Sequence, residues 1–265
     1  MTDSADLDLA VALADAADAI SFTRFLRADL QVETKPDLTP VSDADRSIEE
    51  VLRRILAQER PKDGVLGEEY GELPAASGTR RWVIDPIDGT KSFVRGVPVW
   101  ATLIALEEAN GDEVHSRVGM VSAPALGRRW WAMRGGGAWT TFTDGNPRPI
   151  KASSVARLED ASFSYSSLSG WEAGGRRDSF LALTDAVWRT RAYGDFWSHM
   201  LVAEGCVDLA AEPELSRWDM AALQVIVEEA GGRFTDLAGR RGSGGGSLLA
   251  SNGLLHDEAL AFLGG

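Results

Sequence analysis

The apolar positions of the chain follow two rhythms. Near the start, Leu9, Leu13, Ile20 and Phe25 recur at helical spacing with alanines between them, which predicts an amphipathic helix within Leu7 to Leu30. Ile48, Val51, Leu52, Ile55 and Leu56 repeat that spacing after Ser47, and Pro61 ends it, so a second helix is expected there. Between the two, Lys35 to Asp45 holds Pro36, Asp37, Pro40, Asp43 and Asp45. That is turn chemistry rather than core, and it predicts a polar loop. The content of Leu30 to Ser42 also suits a mobile flap.

Downstream the period shortens. Arg81 to Asp85, Pro98 to Leu106 and Arg117 to Ser122 are β-prone runs, and Trp130 to Trp139, broken by Gly135, Gly136 and Gly137, predicts a hairpin. From Ser179 onward helical and strand patterns alternate. Helices are expected over Phe180 to Arg191, Phe196 to Cys206 and Met220 to Ala230, with a strand over Val207 to Ala211. Gly242 to Ser247 lacks the Gly-Lys-Ser/Thr ending of a phosphate-binding P-loop and reads as a flexible turn. No linker splits the chain, and a soft subdomain boundary near Lys151 divides 1–150 from 151–265.

Composition narrows the possible functions. A chain of 265 residues that is 44% apolar and 25% charged can bury a large core and is far from a disordered composition. The net charge of −13 speaks against a nucleic-acid surface, which needs clustered Lys and Arg. No apolar stretch reaches the roughly 18 residues of a membrane span, and the first residues carry no basic n-region, so cytoplasmic residence is expected. Cys206 is the single cysteine, which excludes an intrachain disulfide or a cysteine zinc cluster, and it is expected as a buried thiol on a helix. His115, His199 and His256 have no metal-ligand spacing.

The chemistry gathers at Asp85-Pro86-Ile87-Asp88-Gly89-Thr90. Asp85 closes an apolar strand that Pro86 is expected to stop. The Asp, Ile, Asp alternation around a turn can aim two carboxylates and the Ile87 carbonyl into one volume, an oxygen-only set that suits Mg²⁺. Taken alone, the run reads equally as an ordinary acidic turn. Gly67-Glu68-Glu69 offers another carboxylate, and Trp218-Asp219 opens an apolar helix, where Asp219 by itself would be an N-cap. Packed carboxylates repel one another, and a divalent cation resolves that conflict more simply than protonation. A pair of such ions about 3.5 to 4 Å apart is the usual device for in-line displacement at a phosphorus centre.

These segments, with Pro40-Val41-Ser42-Asp43-Ala44-Asp45 before them and Glu229-Ala230-Gly231-Gly232 after, make the chain resemble the inositol monophosphatase family over essentially its whole length. The resemblance implies an α/β fold of alternating α-β-α-β-α layers, a homodimer, and hydrolysis of a small phosphate monoester with two or three Mg²⁺ ions. It implies Glu68, Asp85 and the Ile87 carbonyl as ligands of a first ion, and Asp85, Asp88 and Asp219 as ligands of a second. A third, weaker site would use Glu68 and water. Thr90, with Asp45 behind it and Glu68 beside it, resembles the group that activates the attacking water. The Gly89 and Thr90 amides would hold the phosphate, with Asp88 and Asp219 bordering it.

The substrate end is less settled by motif. Arg191-Ala192-Tyr193-Gly194-Asp195-Phe196-Trp197 and Ala210-Ala211-Glu212-Pro213 look like the histidinol-phosphatase branch of the family. Asp195 stands where inositol phosphatases tend to have small or hydroxyl residues, and Glu212 stands at the family's substrate-contacting glutamate. Two carboxylates facing the leaving group favour a cationic amine over a neutral polyol, because charge-assisted hydrogen bonds are about twice as strong. Asp195 could also serve as the N-cap of the following helix. Arg191 and Gly194 are candidate substrate-side residues, and His199, one helical turn past Asp195, is expected as a core or surface histidine that could approach the same region. The alternatives are an inositol-1-phosphatase or broad monoesterase of the same fold and, as a different class, a binding module. The retention of Glu68, Asp85, Asp88, Thr90 and Asp219 disfavours the last.

Overall fold

The computed structural model describes residues 3–264 apart from 37, 38, 77, 111, 112, 243 and 245. The chain opens with helix α1 (Asp3–Arg24), strands β1 (Val32–Thr34) and β2 (Pro40–Ser42), helix α2 (Asp43–Glu59), strands β3 (Gly64–Gly67), β4 (Gly71–Leu73) and β5 (Arg80–Asp88), and the short helix α3 (Thr90–Val94). Strands β6 (Ala101–Asn110), β7 (Glu113–Ala123), β8 (Arg128–Met133), β9 (Ala138–Thr141), β10 (Arg148–Ile150) and β11 (Ser162–Ser164) follow. Helices α4 (Leu168–Ala173) and α5 (Arg177–Ala186), strand β12 (Arg189–Arg191), helix α6 (Asp195–Ala203), strand β13 (Leu209–Glu212) and helix α7 (Arg217–Glu229) come next. Strands β14 (Arg233–Thr235) and β15 (Leu248–Ser251) and helix α8 (His256–Leu263) complete the order.

The alternation along β5 explains the layering. Trp82 and Ile84 point to one face, where they pack with Leu13 of α1 and Ile48 and Leu52 of α2. Val83 points to the other face and joins Met200 of α6 and Leu223 and Ile226 of α7. The large sheet runs β10-β9-β8-β7-β6-β5-β3-β4 and is antiparallel except where β3 pairs β5. A second sheet runs β12-β11-β13-β15-β14. Ala210, Leu248 and Ala250 cover the other side of α6 and α7, while Phe163, Leu209 and Leu249 face α4, α5 and α8 through Trp171, Phe180 and Leu263. The result is the expected α-β-α-β-α sandwich. Every strand of the large sheet precedes Lys151 and every strand of the second follows it, yet one continuous apolar cluster around α6 and α7 joins both sheets. Among the described residues no helix is long and apolar enough to cross a membrane.

Several local expectations are corrected. Helix α2 begins at Asp43, inside the expected loop, because Ser42 caps it and the Asp45 carboxylate accepts the Ser42 N–H at 2.8 Å in a reciprocal capping box. Pro40–Ser42 of that loop pairs as β2 with β1, which lies just before it, and Asp37 and Leu38 lie outside the described residues. Strand β5 runs through Pro86 instead of stopping, because the register shifts between Asp85 and Asp88 and the missing N–H falls in the irregularity. Thr102 Oγ1 donates to the Pro86 carbonyl at 2.8 Å there. Helix α5 ends at Ala186, since Arg189–Arg191 is drawn off to pair parallel with β11. Helix α6 ends at Ala203, which leaves Cys206 exposed beyond it rather than buried on it.

Candidate active site

The β5 irregularity does the first work of building a site. It swings Asp85 and Asp88 to the same end of the sheet, and Gly89, at φ +82, then turns the chain into α3 with Thr90 leading. Asp219 arrives from α7. It is not the N-cap; Ser216 is, and Asp219 is the third helical residue, accepting the Ser216 N–H at 2.7 Å. One carboxylate oxygen from each of Asp85, Asp88 and Asp219 lies within 4.8 Å of the others. Burial, then the charges of Glu68, Asp88 and Asp219, push the Asp85 carboxyl well above its ordinary range. Burial, then Asp195 and Asp219, does the same to Asp88, and Asp219 is pushed up to about 7, chiefly by burial. Asp85 Oδ1 is buried with no hydrogen-bond partner. A desolvated oxygen donor set, mutually repelling and with one oxygen orphaned, fits a hard divalent cation.

Glu68 stands beside this group rather than within it. Its charge is the strongest of those acting on Asp85, but its Oε1 accepts from Lys35 Nζ at 2.7 Å, and Lys35 also reaches Glu69 Oε1 at 2.6 Å. The turn that carries both glutamates is fixed by buried Glu49, which accepts the Glu69 and Tyr70 amides at 2.7 and 3.2 Å. Gly67 leaves the room for this, since a Cβ there would fall 2.0 Å from Glu49 Oε1. Thr90 Oγ1 donates to the Ile87 carbonyl at 2.9 Å and stands 3.4 Å from Asp45 Oδ1. Asp45 Oδ2 is held by Ser42 Oγ at 2.5 Å, and burial pushes the Asp45 carboxyl up to about 6.

A cavity of about 350 Å³ opens over these groups. Ser166, Asp195, His199, Glu212 and Glu214 form a further wall, joined by Trp218, Leu215 and Leu223. Glu212 is buried and pushed up to about 8, by burial first and then by the charge of Asp195, while Ser166 Oγ donates to its Oε1 at 2.7 Å. Asp195 is the first residue of α6 and does not cap it; Gly194 holds the cap position, and the Phe196 amide donates to Asp88 Oδ2 at 2.6 Å. Arg191 does not join them. It is exposed on β12, donates to the neighbouring Thr190 carbonyl at 2.7 Å, and is absent from the cavity lining.

The model of the inositol monophosphatase family matches residues 3–262. The chain belongs to the inositol monophosphatase family. Within the family it is 62% identical over 258 residues to a histidinol-phosphatase of Streptomyces coelicolor, covering 97% of this chain and 96% of that one. It is 60% identical over 258 residues to a histidinol-phosphatase of Mycobacterium tuberculosis, covering 97% of each. The structure of an inositol monophosphatase from Zymomonas mobilis matches with a TM-score of 0.85 at 32% identity, covering 99% of each chain.

The family motifs account for the acidic residues Glu68, Asp85, Asp88 and Asp219 of this site, and two further residues had no signal of their own. Lys35, through its bond to Glu68, and Ser166, on the cavity wall, come to the site only through tertiary structure. His199 is buried at 1% exposure in the cavity wall; burial pulls its imidazole down to about 3, so the ring is neutral, and its Nδ1 has no partner.

Proposed function

We propose that the protein is a Mg²⁺-dependent phosphatase that hydrolyses L-histidinol phosphate to L-histidinol and phosphate. The observation that carries the substrate is the pair of carboxyl groups on the cavity wall, Asp195 and Glu212, which Ser166 ties together by donating to Glu212 Oε1 and accepting from the Asp195 amide. The high identity to two proteins named histidinol-phosphatase supports the same reading. A leaving group with an ammonium and an imidazole brings its own positive charge to that pair, which favours the ionised form of Glu212 and makes the hydrogen bonds charge-assisted, and a neutral polyol does not.

Asp85, Asp88, Asp219, Glu68 and the Ile87 carbonyl would hold the two or three ions. When bound, Mg²⁺ supplies Lewis acidity and neutralises phosphate charge, which lets a chain of net charge −13 take an anion. The protein's own groups do the remainder. The Gly89 and Thr90 amides, at the start of a helical turn, hold the phosphate oxygens. Thr90 Oγ1 orients the attacking water, with Asp45 Oδ1 behind it to receive the proton and Glu68 beside it. Asp195 and Glu212 orient the leaving alcohol through its nitrogens, with Gly194 shaping the turn. Assembly of two copies and cytoplasmic residence belong to the same reading, and light scattering of the purified chain tests the first.

The test compares Asp195→Asn with the unaltered protein on histidinol phosphate and on inositol 1-phosphate, both with Mg²⁺. The charge on Asp195 predicts a loss of about tenfold or more in kcat/KM confined to histidinol phosphate. Equal losses on both substrates, or faster turnover of inositol 1-phosphate by the unaltered protein, would overturn the assignment.

A further inference from the structure

Asp195 has an unusual backbone. Its φ is +48, in the left-handed region, and it follows Gly194 at φ +82 and ψ 162, a conformation open almost only to glycine. Glycine takes up its conformation freely, but for Asp195 the left-handed backbone costs free energy and persists only if the surroundings impose it. Here they do. Three consecutive amides are each captured by a side-chain oxygen from a different part of the fold. The Gly194 amide donates to Ser198 Oγ at 2.9 Å, the Asp195 amide to Ser166 Oγ at 3.0 Å, and the Phe196 amide to Asp88 Oδ2 at 2.6 Å.

Each captor is itself fixed. Ser198 Oγ lies 2.7 Å from Ser164 Oγ of β11, both fully buried, so the turn is tied to the second sheet. Ser166 spends its single proton on Glu212 Oε1 at 2.7 Å while its lone pair takes the Asp195 amide, so one hydroxyl sets the spacing of both wall carboxylates. The outcome is a carboxylate aimed back at the phosphate turn: a Cβ on Gly89 would stand 3.2 Å from Asp195 Oδ2.

We propose that Ser166 and Ser198 are positioning residues for substrate choice, holding Asp195 in its left-handed conformation so that its carboxylate meets a cationic nitrogen on the leaving group. This rests on the histidinol-phosphatase reading. Neither serine is needed for the hydrolytic groups at Asp85 or Thr90, so their removal acts on discrimination more than on turnover. Ser198 is buried behind the turn and does not line the cavity, so its effect on the substrate passes through the turn that carries Asp195.

The experiment measures kcat and KM of Ser198→Ala, Ser166→Ala and Ser166→Thr on histidinol phosphate and inositol 1-phosphate with Mg²⁺, with melting temperatures alongside. We expect the ratio of kcat/KM for the cationic over the neutral substrate to fall about tenfold in each alanine variant, mostly through KM. Ser166→Thr keeps the hydroxyl and should restore the ratio. An unchanged ratio, or a Ser166→Thr as poor as Ser166→Ala, overturns the proposal, and if Ser198→Ala does not fold the Ser166 pair still decides it. The preference of the unaltered protein tests the underlying reading separately, since that number does not depend on either serine variant.

Discussion

Lys35 Nζ lies 2.7 Å from Glu68 Oε1, so an ammonium on the β1–β2 connection already neutralises a carboxylate that faces Asp85. Burial alone would lower the pKa of this amine, but Glu68 and Glu69 carry it above its ordinary value, and it stays charged. Its positive charge competes with any cation for Glu68. Lys35→Gln should therefore lower the Mg²⁺ concentration for half-maximal activity by several-fold, since like charges a few ångströms apart oppose each other by about 1 kcal/mol or more. A Mg²⁺ titration of activity reads this directly, and a shift to higher Mg²⁺ would mean that Lys35 assists metal binding instead.

Asp85 sits at the opposite balance between stability and function. Its Oδ1 is buried and unpartnered among three other acidic groups, an arrangement that destabilises the metal-free fold. Asp85→Asn should raise the melting temperature of chelator-treated protein by several degrees and remove the further rise that Mg²⁺ gives the unaltered chain. Hydrolysis should drop by at least about a hundredfold. Differential scanning calorimetry with and without Mg²⁺ separates the two effects, and an Asp85→Asn chain that melts lower without metal contradicts this account.

How much of this could be read beforehand depended on distance along the chain. The Asp85 to Thr90 cluster was legible because its parts are adjacent, and the layers were legible only through the family resemblance that this and the other motifs carry. The path of β5 through Pro86 was not, because proline excludes a ladder bond but says nothing of an irregularity two residues long. The start of α2 was hidden for a related reason: Asp43 and Asp45 are turn formers in sequence and become a capped first turn only when Ser42 and Asp45 bond reciprocally. The alternative role of Asp195 as an N-cap fails because its left-handed backbone depends on Ser166, 29 positions away, which carries no motif. Arg191 was placed near the substrate by proximity in sequence to Asp195, yet pairing with β11 turns it to the surface.

The acidic cluster also sets a pH dependence. Asp45, Asp219 and Glu212 have folded-state values of about 6, 7 and 8, all above ordinary carboxylates and chiefly through burial. The folded chain then holds protons that the unfolded chain has released, so their contribution is fully present below about pH 4 and is lost as pH rises through 6 to 8. Metal-free protein should melt several degrees lower at pH 8 than at pH 5.5, and saturating Mg²⁺ should raise the melting temperature more at pH 8. A metal-free melting temperature that climbs across this range would show that other groups outweigh the cluster.

Gly89 lies between the turn proposed to hold the phosphate and the Asp195 side of the cavity, and two independent constraints act on it. Its φ of +82 is costly for any side chain, and a Cβ would stand 3.0 Å from the Val99 carbonyl and 3.2 Å from Asp195 Oδ2. The first constraint destabilises by about 1 to 3 kcal/mol wherever a residue other than glycine is forced there. The second does more specific harm, because relief of the clash moves either the turn that presents the Gly89 and Thr90 amides or the Asp195 carboxylate. Gly89→Ala should therefore lose stability within that range and at least about a hundredfold in kcat/KM, with KM for histidinol phosphate raised beyond that for inositol 1-phosphate. Thermal melts and paired kinetics measure both, and a variant that melts lower yet keeps its kcat/KM on each substrate would remove Gly89 from the phosphate turn's function.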